Sequence, residues 1–229
     1  MKTAIILLVL CAISFLPLAI SDSGLPPLIR LPTKPHLTAF HSPILDTAGN
    51  PVIAGAKYYA VPALIGVEGG ISVANLNTTG NPSACPTDVV INETLAGNQP
   101  PAVGRPLSFY PQKLKGEATD DDVVILAQFP LNVAFDSPDP SDPCAKENVW
   151  KLQATIVTGG VIGNEDDISN WFRIQKNFNG RGYIFNWWPI LCLNCKIGYS
   201  VIGRVGDGSQ LGIDSNAESL YGFELVKAD

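Results

Sequence analysis

Few residues in this chain are equipped for chemistry, and their placement narrows what it can do. His36 and His41 lie in or beside a proline-rich N-terminal stretch, and the rest of the chain has no histidine. That argues against a histidine-activated serine or cysteine nucleophile, and the chain reads as no enzyme. Asp120-Asp121-Asp122 precede a β-branched run, where three consecutive carboxylates read as a solvated turn. Cys192-Leu193-Asn194-Cys195 has redox-motif spacing without a strand-helix-strand context, and zinc would need a second such pair. No motif calls for a cofactor or a metal. The stretch that stands out is Leu107-Ser108-Phe109-Tyr110-Pro111-Gln112-Lys113-Leu114-Lys115-Gly116. Proline stiffens the approach, lysine offers a long cationic side chain, and glycine lets the chain turn back. Such a loop could face a proteinase, although by itself the pattern also fits a solvated turn.

Composition sets the surroundings. Lys2 is followed by the apolar run from Ala4 through Leu16, and small residues stand at Ala19 and Ser21. Residues 1–21 therefore read as a secretory signal peptide, and no later stretch is long and apolar enough to cross a bilayer. Five cysteines become four when Cys11 leaves with the signal, an even number suited to two disulfides in an oxidising compartment. Cys85, Cys144, Cys192 and Cys195 allow three pairings, and spacing does not choose among them. The net charge of −6 becomes −7 without Lys2. An acidic chain does not suit nucleic acid or an anionic membrane as partner. Asn77-Thr78-Thr79 and Asn92-Glu93-Thr94 are glycosylation sequons.

Residues 22–43 are too rich in proline for regular structure and read as an extended arm or propeptide. From Ile44 onward, short β-branched or aromatic runs alternate with turn clusters such as Thr79-Gly80-Asn81-Pro82 and Asn179-Gly180-Arg181-Gly182. Strands are expected near 57–61, 71–74, 87–91, 123–127, 149–154, 171–176, 182–185, 198–202 and 221–226. Many short strands without helical periodicity predict an all-β barrel or sandwich in one domain, residues 44–229. Aromatic openings at Tyr58, Trp150 and Trp171 hint at an internal repeat.

The order of motifs carries a family resemblance. Ile44-Leu45-Asp46-Thr47-Ala48-Gly49-Asn50-Pro51 is followed by Gly55-Ala56-Lys57-Tyr58-Tyr59, then Gly69-Gly70, Cys85-Pro86, Trp150 and Trp171-Phe172-Arg173-Ile174. Tyr183-Ile184-Phe185, Cys195-Lys196-Ile197-Gly198 and Phe223-Glu224-Leu225-Val226-Lys227 complete the series. The whole resembles the plant Kunitz-type, soybean trypsin inhibitor-like proteins. That resemblance implies a β-trefoil, twelve strands with pseudo-threefold symmetry, six in a barrel and six capping it. It implies disulfides Cys85–Cys144 and Cys192–Cys195, the second departing from the family's usual wider spacing, with Trp188 near the position of the earlier cysteine.

The resemblance also assigns the loop. Pro111, Gln112, Lys113 and Leu114 match the inhibitory loop, Lys113 the specificity residue and Leu114 the residue after the scissile bond. The implied partner is a trypsin-like serine endopeptidase, met by a monomer without a cofactor in the secretory pathway, outside the cell or in the vacuole. Arg105 ranks lower because Pro106 follows it, and Lys115 because Gly116 loosens the chain there. Two alternatives remain within the family: a non-inhibitory storage or taste-type protein, and an inhibitor of cysteine or aspartic proteinases through another loop. Ala54 departs from the pattern, because the family often supports its loop from that position with an asparagine. A more mobile loop follows unless Gln112 or another side chain substitutes. Leu28-Ile29-Arg30-Leu31-Pro32-Thr33 is similar to the vacuolar sorting segment of related tuber storage proteins, the alternative being an arm without that role.

Overall fold

The computed structural model describes residues 41–76, 85–95, 103–113, 123–137, 141, 144–145, 148–178, 180–189, 198–206, 208–213 and 221–228. The signal peptide, most of the arm, Asn77, Leu114, the carboxylate run 120–122, Cys192 and Cys195 lie outside the described residues. Among the described residues there are twelve strands: β1 (Tyr58–Pro62), β2 (Val67–Ala74), β3 (Asp88–Leu95), β4 (Leu107–Pro111), β5 (Leu131–Phe135) and β6 (Val149–Leu152). They continue as β7 (Ile156–Gly160), β8 (Phe172–Lys176), β9 (Tyr183–Trp187), β10 (Ser200–Arg204), β11 (Leu211–Ile213) and β12 (Phe223–Lys227). A 3-10 helix, Ile168–Asn170, precedes β8.

Antiparallel pairing closes six of these strands into a ring. β1 pairs with β4, β4 with β5, β5 with β8, β8 with β9, β9 with β12, and β12 with β1. Closure removes the exposed edges that an open sheet would leave. The other six form the hairpins β2–β3, β6–β7 and β10–β11. Each third of the chain thus contributes a barrel strand, a hairpin and a second barrel strand, which is the β-trefoil that the resemblance implies. Gln210 Nε2 ties all three hairpins together, donating to Asp88 Oδ1 at 2.8 Å and to Thr155 Oγ1 at 2.9 Å.

Burial follows the two-residue period of a strand facing a core on one side. In β1 Tyr58, Ala60 and Pro62 are buried, with half-buried residues between them. The barrel strands send Tyr58, Phe109, Phe172, Phe185 and Phe223 into one core with Trp150 of β6. Phe185 stacks on Phe223 with centroids 4.2 Å apart, and Trp150 meets Phe185 at 5.2 Å. Each such aromatic contact adds about 1 kcal/mol beyond the area it buries.

The structure departs from the expected strand ranges at five segments, one of them β4, which none of those ranges covers. Residues 123–127 do not form a strand: Val124 and Leu126 make isolated bridges to Ile53 and Pro43. The amide of Ala54 donates to the carbonyl of Val123, and that of Ile44 to the carbonyl of Ile125, so this β-branched run clamps the N-terminal segment. Conversely β5, β7 and β11 lack sequence signals. β5 is buried at every position and shows no alternation, β7 carries two glycines, and β11 has three residues. The aromatic openings fall on β1, β6 and immediately before β8, which are not equivalent positions in the threefold repeat.

Candidate functional site

The lysine singled out from sequence lies just past the end of a barrel strand. β4 pairs with β5 over five positions, from Leu107 opposite Phe135 to Pro111 opposite Leu131. This register persists because Leu107, Ser108 and Phe109 are buried. Pro111 ends the strand and Gln112 is half-buried, while Lys113 is exposed. The pairing extends one step further, since the Gln112 amide donates to the Pro130 carbonyl at 2.9 Å. The chain entering Lys113 is therefore fixed by backbone hydrogen bonds, and Leu114 lies beyond the described residues.

The expectation about Ala54 can be followed in atoms. Ala54 is partly buried against the core and brings no polar side chain. Its neighbour Gly55 contacts β4 through the backbone, its amide donating to the Phe109 carbonyl at 3.0 Å. Gln112 makes a different contact, its Nε2 donating to Glu165 Oε1 at 3.4 Å on the surface and not to a loop carbonyl. Glu165 belongs to residues 161–167, between β7 and the 3-10 helix. Sequence reasoning did not reach that loop. The signal for it was Gly163-Asn164-Glu165-Asp166-Asp167, a turn cluster whose relation to Lys113 only pairing between distant strands establishes.

Two other basic residues are accounted for differently. Arg105 turns to the protein itself, donating from Nη2 to the Asp136 carbonyl at 3.2 Å and lying over the Phe135 ring. Lys115 lies outside the described residues. Among the histidines, His41 Nδ1 is 2.9 Å from the Ala127 carbonyl oxygen, and His36 lies outside.

Cys85 and Cys144 form a disulfide across a separation of 59 positions, enclosing Lys113 in the sequence. The Cys192–Cys195 pairing falls on undescribed residues. Arg173 lies against the rings of both Trp188 and Tyr199, with the guanidinium carbon 4.7 Å and 4.1 Å from the two ring centroids. Burial lowers the pKa of Arg173 from its usual value, and Tyr199 opposes that shift. Asn92 lies exposed on β3, opposite Gly70 of β2, and Asn77 is outside the described residues. Among the described residues no group of acidic, histidine and cysteine side chains could hold a metal ion, and no helix is long and apolar enough to cross a membrane.

Comparison with known proteins places these features. The family described as trypsin and protease inhibitors, of legume Kunitz type, matches residues 44–223. Miraculin from Synsepalum dulcificum is 31% identical over 216 residues, covering 87% of this chain and 91% of that protein. Kunitz trypsin inhibitor 5 from Arabidopsis thaliana is 29% identical, covering 68% and 70% respectively. The solved Kunitz-type cysteine protease inhibitor PCPI-3 from potato superposes with a TM-score of 0.62 at 23% identity, over 82% of this chain and 98% of that one. It shares the β-trefoil. The motif order read from the sequence, the closed barrel with its three hairpins and the family match over residues 44–223 agree: this chain belongs to the legume Kunitz family of trypsin and protease inhibitors, which are not enzymes.

Proposed function

We propose that the protein inhibits a trypsin-like serine endopeptidase by offering Pro111, Gln112, Lys113 and Leu114 to the cleft as a substrate would, with Lys113 in the specificity pocket. The observation that carries this reading is an exposed lysine at the end of a strand whose register and last hydrogen bond, Gln112 to Pro130, leave its approach little freedom. The ammonium would pair with a carboxylate at the base of the pocket. A preorganised loop loses little entropy on binding, so a standard interface suffices for high affinity. If the Lys113–Leu114 bond is cut, the Cys85–Cys144 bond keeps the fragments joined.

That disulfide also supports an oxidising compartment, reached through the signal peptide of residues 1–21, with the arm of residues 22–43 then acting as a propeptide. Exposure of Asn92 is compatible with a glycan there. A monomer suffices for this mechanism.

Titrating trypsin with the purified mature protein is the test. Stoichiometric loss of activity is expected, and Lys113→Ala should abolish it. Unchanged inhibition by Lys113→Ala would show that another loop is responsible. No inhibition by the wild type would favour a non-inhibitory storage or taste-type role.

A further inference from the structure

We infer that residues 161–166 form a second contact strip for the proteinase engaged by Lys113, packing on the rim of the cleft that holds substrate residues preceding the scissile bond. This rests on the Lys113 reading and adds a specificity determinant to it. The side of the cleft follows from chain direction: Gln112, the residue before Lys113, reaches Glu165.

The strip opens with two adjacent exposed apolar residues on a backbone held from behind, a combination that a solvated loop does not need. Val161 is 59% exposed and Ile162 45%. Both are β-branched, so little side-chain freedom is lost when a partner covers them. Two interior asparagines hold the backbone behind them. Asn132, 1% exposed, accepts from the Gly163 amide at 2.7 Å through Oδ1 and donates through Nδ2 to the Asn170 carbonyl at 2.9 Å. Asn170, fully buried, donates through Nδ2 to the Val161 carbonyl at 3.2 Å. Trp171 Nε1 donates to the Asn164 carbonyl at 2.9 Å.

The turn itself requires Gly163, whose φ of +74° lies in the left-handed region. The loop is thus tied to β5, to the 3-10 helix and to the start of β8, and β5 is the strand paired with the one that delivers Lys113. The backbones of the strip and of the chain entering Lys113 are both tied to β5, so both can meet a single partner at a reduced ordering cost. Exposed carboxylates at Glu165 and Asp166 border the apolar pair. The matching rim is apolar where it meets Val161 and Ile162, with cationic or N–H donor groups beside it.

The experiment compares the full wild-type chain, Lys113→Ala and the double variant Val161→Ser/Ile162→Ser against trypsin, reading association rate, dissociation rate and Ki. Both replaced side chains are exposed, so the double variant should melt as the wild type does, which a thermal scan verifies. Its Ki should rise about tenfold, mostly through faster dissociation. A Ki within twofold of wild type, while Lys113→Ala abolishes inhibition, would overturn the strip and leave the Lys113 reading standing. Full inhibition by Lys113→Ala would instead overturn the Lys113 reading, and with it the place assigned to the strip.

Discussion

Tyr221 shows how a single side chain can set a pH limit. Its hydroxyl is buried and has no hydrogen-bond partner. Burial raises its pKa above the ordinary 10.0, the Glu93 charge adds to the shift, and Arg204, in an ion pair with Glu93, opposes it. The folded state therefore keeps the proton longer than the unfolded chain does. As pH rises through 10 the unfolded chain binds fewer protons than the folded one, so stability falls on that side. Tyr221→Phe should gain about 1 kcal/mol at neutral pH, because an unsatisfied buried hydroxyl disappears, and should flatten the alkaline fall. Denaturant unfolding of both proteins at neutral pH and above pH 10 measures each effect. Lys113 is the opposite kind of residue, exposed and held only through its neighbours, so its replacement is expected to cost inhibition and leave stability alone.

At the scale of elements, the three hairpins meet through backbone bridges and through one side-chain amide that touches all of them. Gln210 Nε2 serves Asp88 at the start of β3 and Thr155 just before β7, while Asp88 Oδ2 also accepts from the Leu76 amide at 2.9 Å. Gln210→Ala should cost about 1 kcal/mol, since it takes the partner from one oxygen of a half-buried carboxylate and from the Thr155 hydroxyl. A shift in the denaturant midpoint without a change in slope would be the expected record. A second inter-element contact joins β8 to the residues just after β9 and just before β10, where Arg173 lies against Trp188 and Tyr199. Its Nε has no hydrogen-bond partner, so the rings contribute the attraction that a carboxylate would otherwise supply.

Across the whole molecule, the Cys85–Cys144 bond links the segment entering β3 to the one entering β6. Closing a loop of 59 positions restricts the unfolded chain by ~4 kcal/mol on the loop-entropy model. Cys85→Ser/Cys144→Ser should lose stability of that order, seen as a lower melting temperature. Incubation with trypsin should then release two fragments where the native protein, once nicked, stays joined. Both effects come from one covalent constraint, so a variant that kept its stability while losing the join would separate them.

The sequence by itself determined the fold class, the family and the position of the exposed lysine. Turn clusters, two-residue periodicity and ordered motifs are local quantities, written in neighbouring residues such as Ile44 to Pro51 or Trp171 to Ile174. Expectations failed where the deciding partner was distant. Val123 to Ala127 has every local mark of a strand, yet its amides and carbonyls go to residues 42–54. β5 hid because burial on all sides erases alternation. Only the tertiary structure decided what supports Lys113: Pro130 and Glu165 rather than residue 54, and behind Glu165 the interior amides of Asn132 and Asn170. An asparagine in a sequence could belong to a turn, a sequon or a core. Pairing across the barrel brings β4 beside β5, and Asn132 of β5 and Asn170 before β8 then hold the loop that carries Glu165.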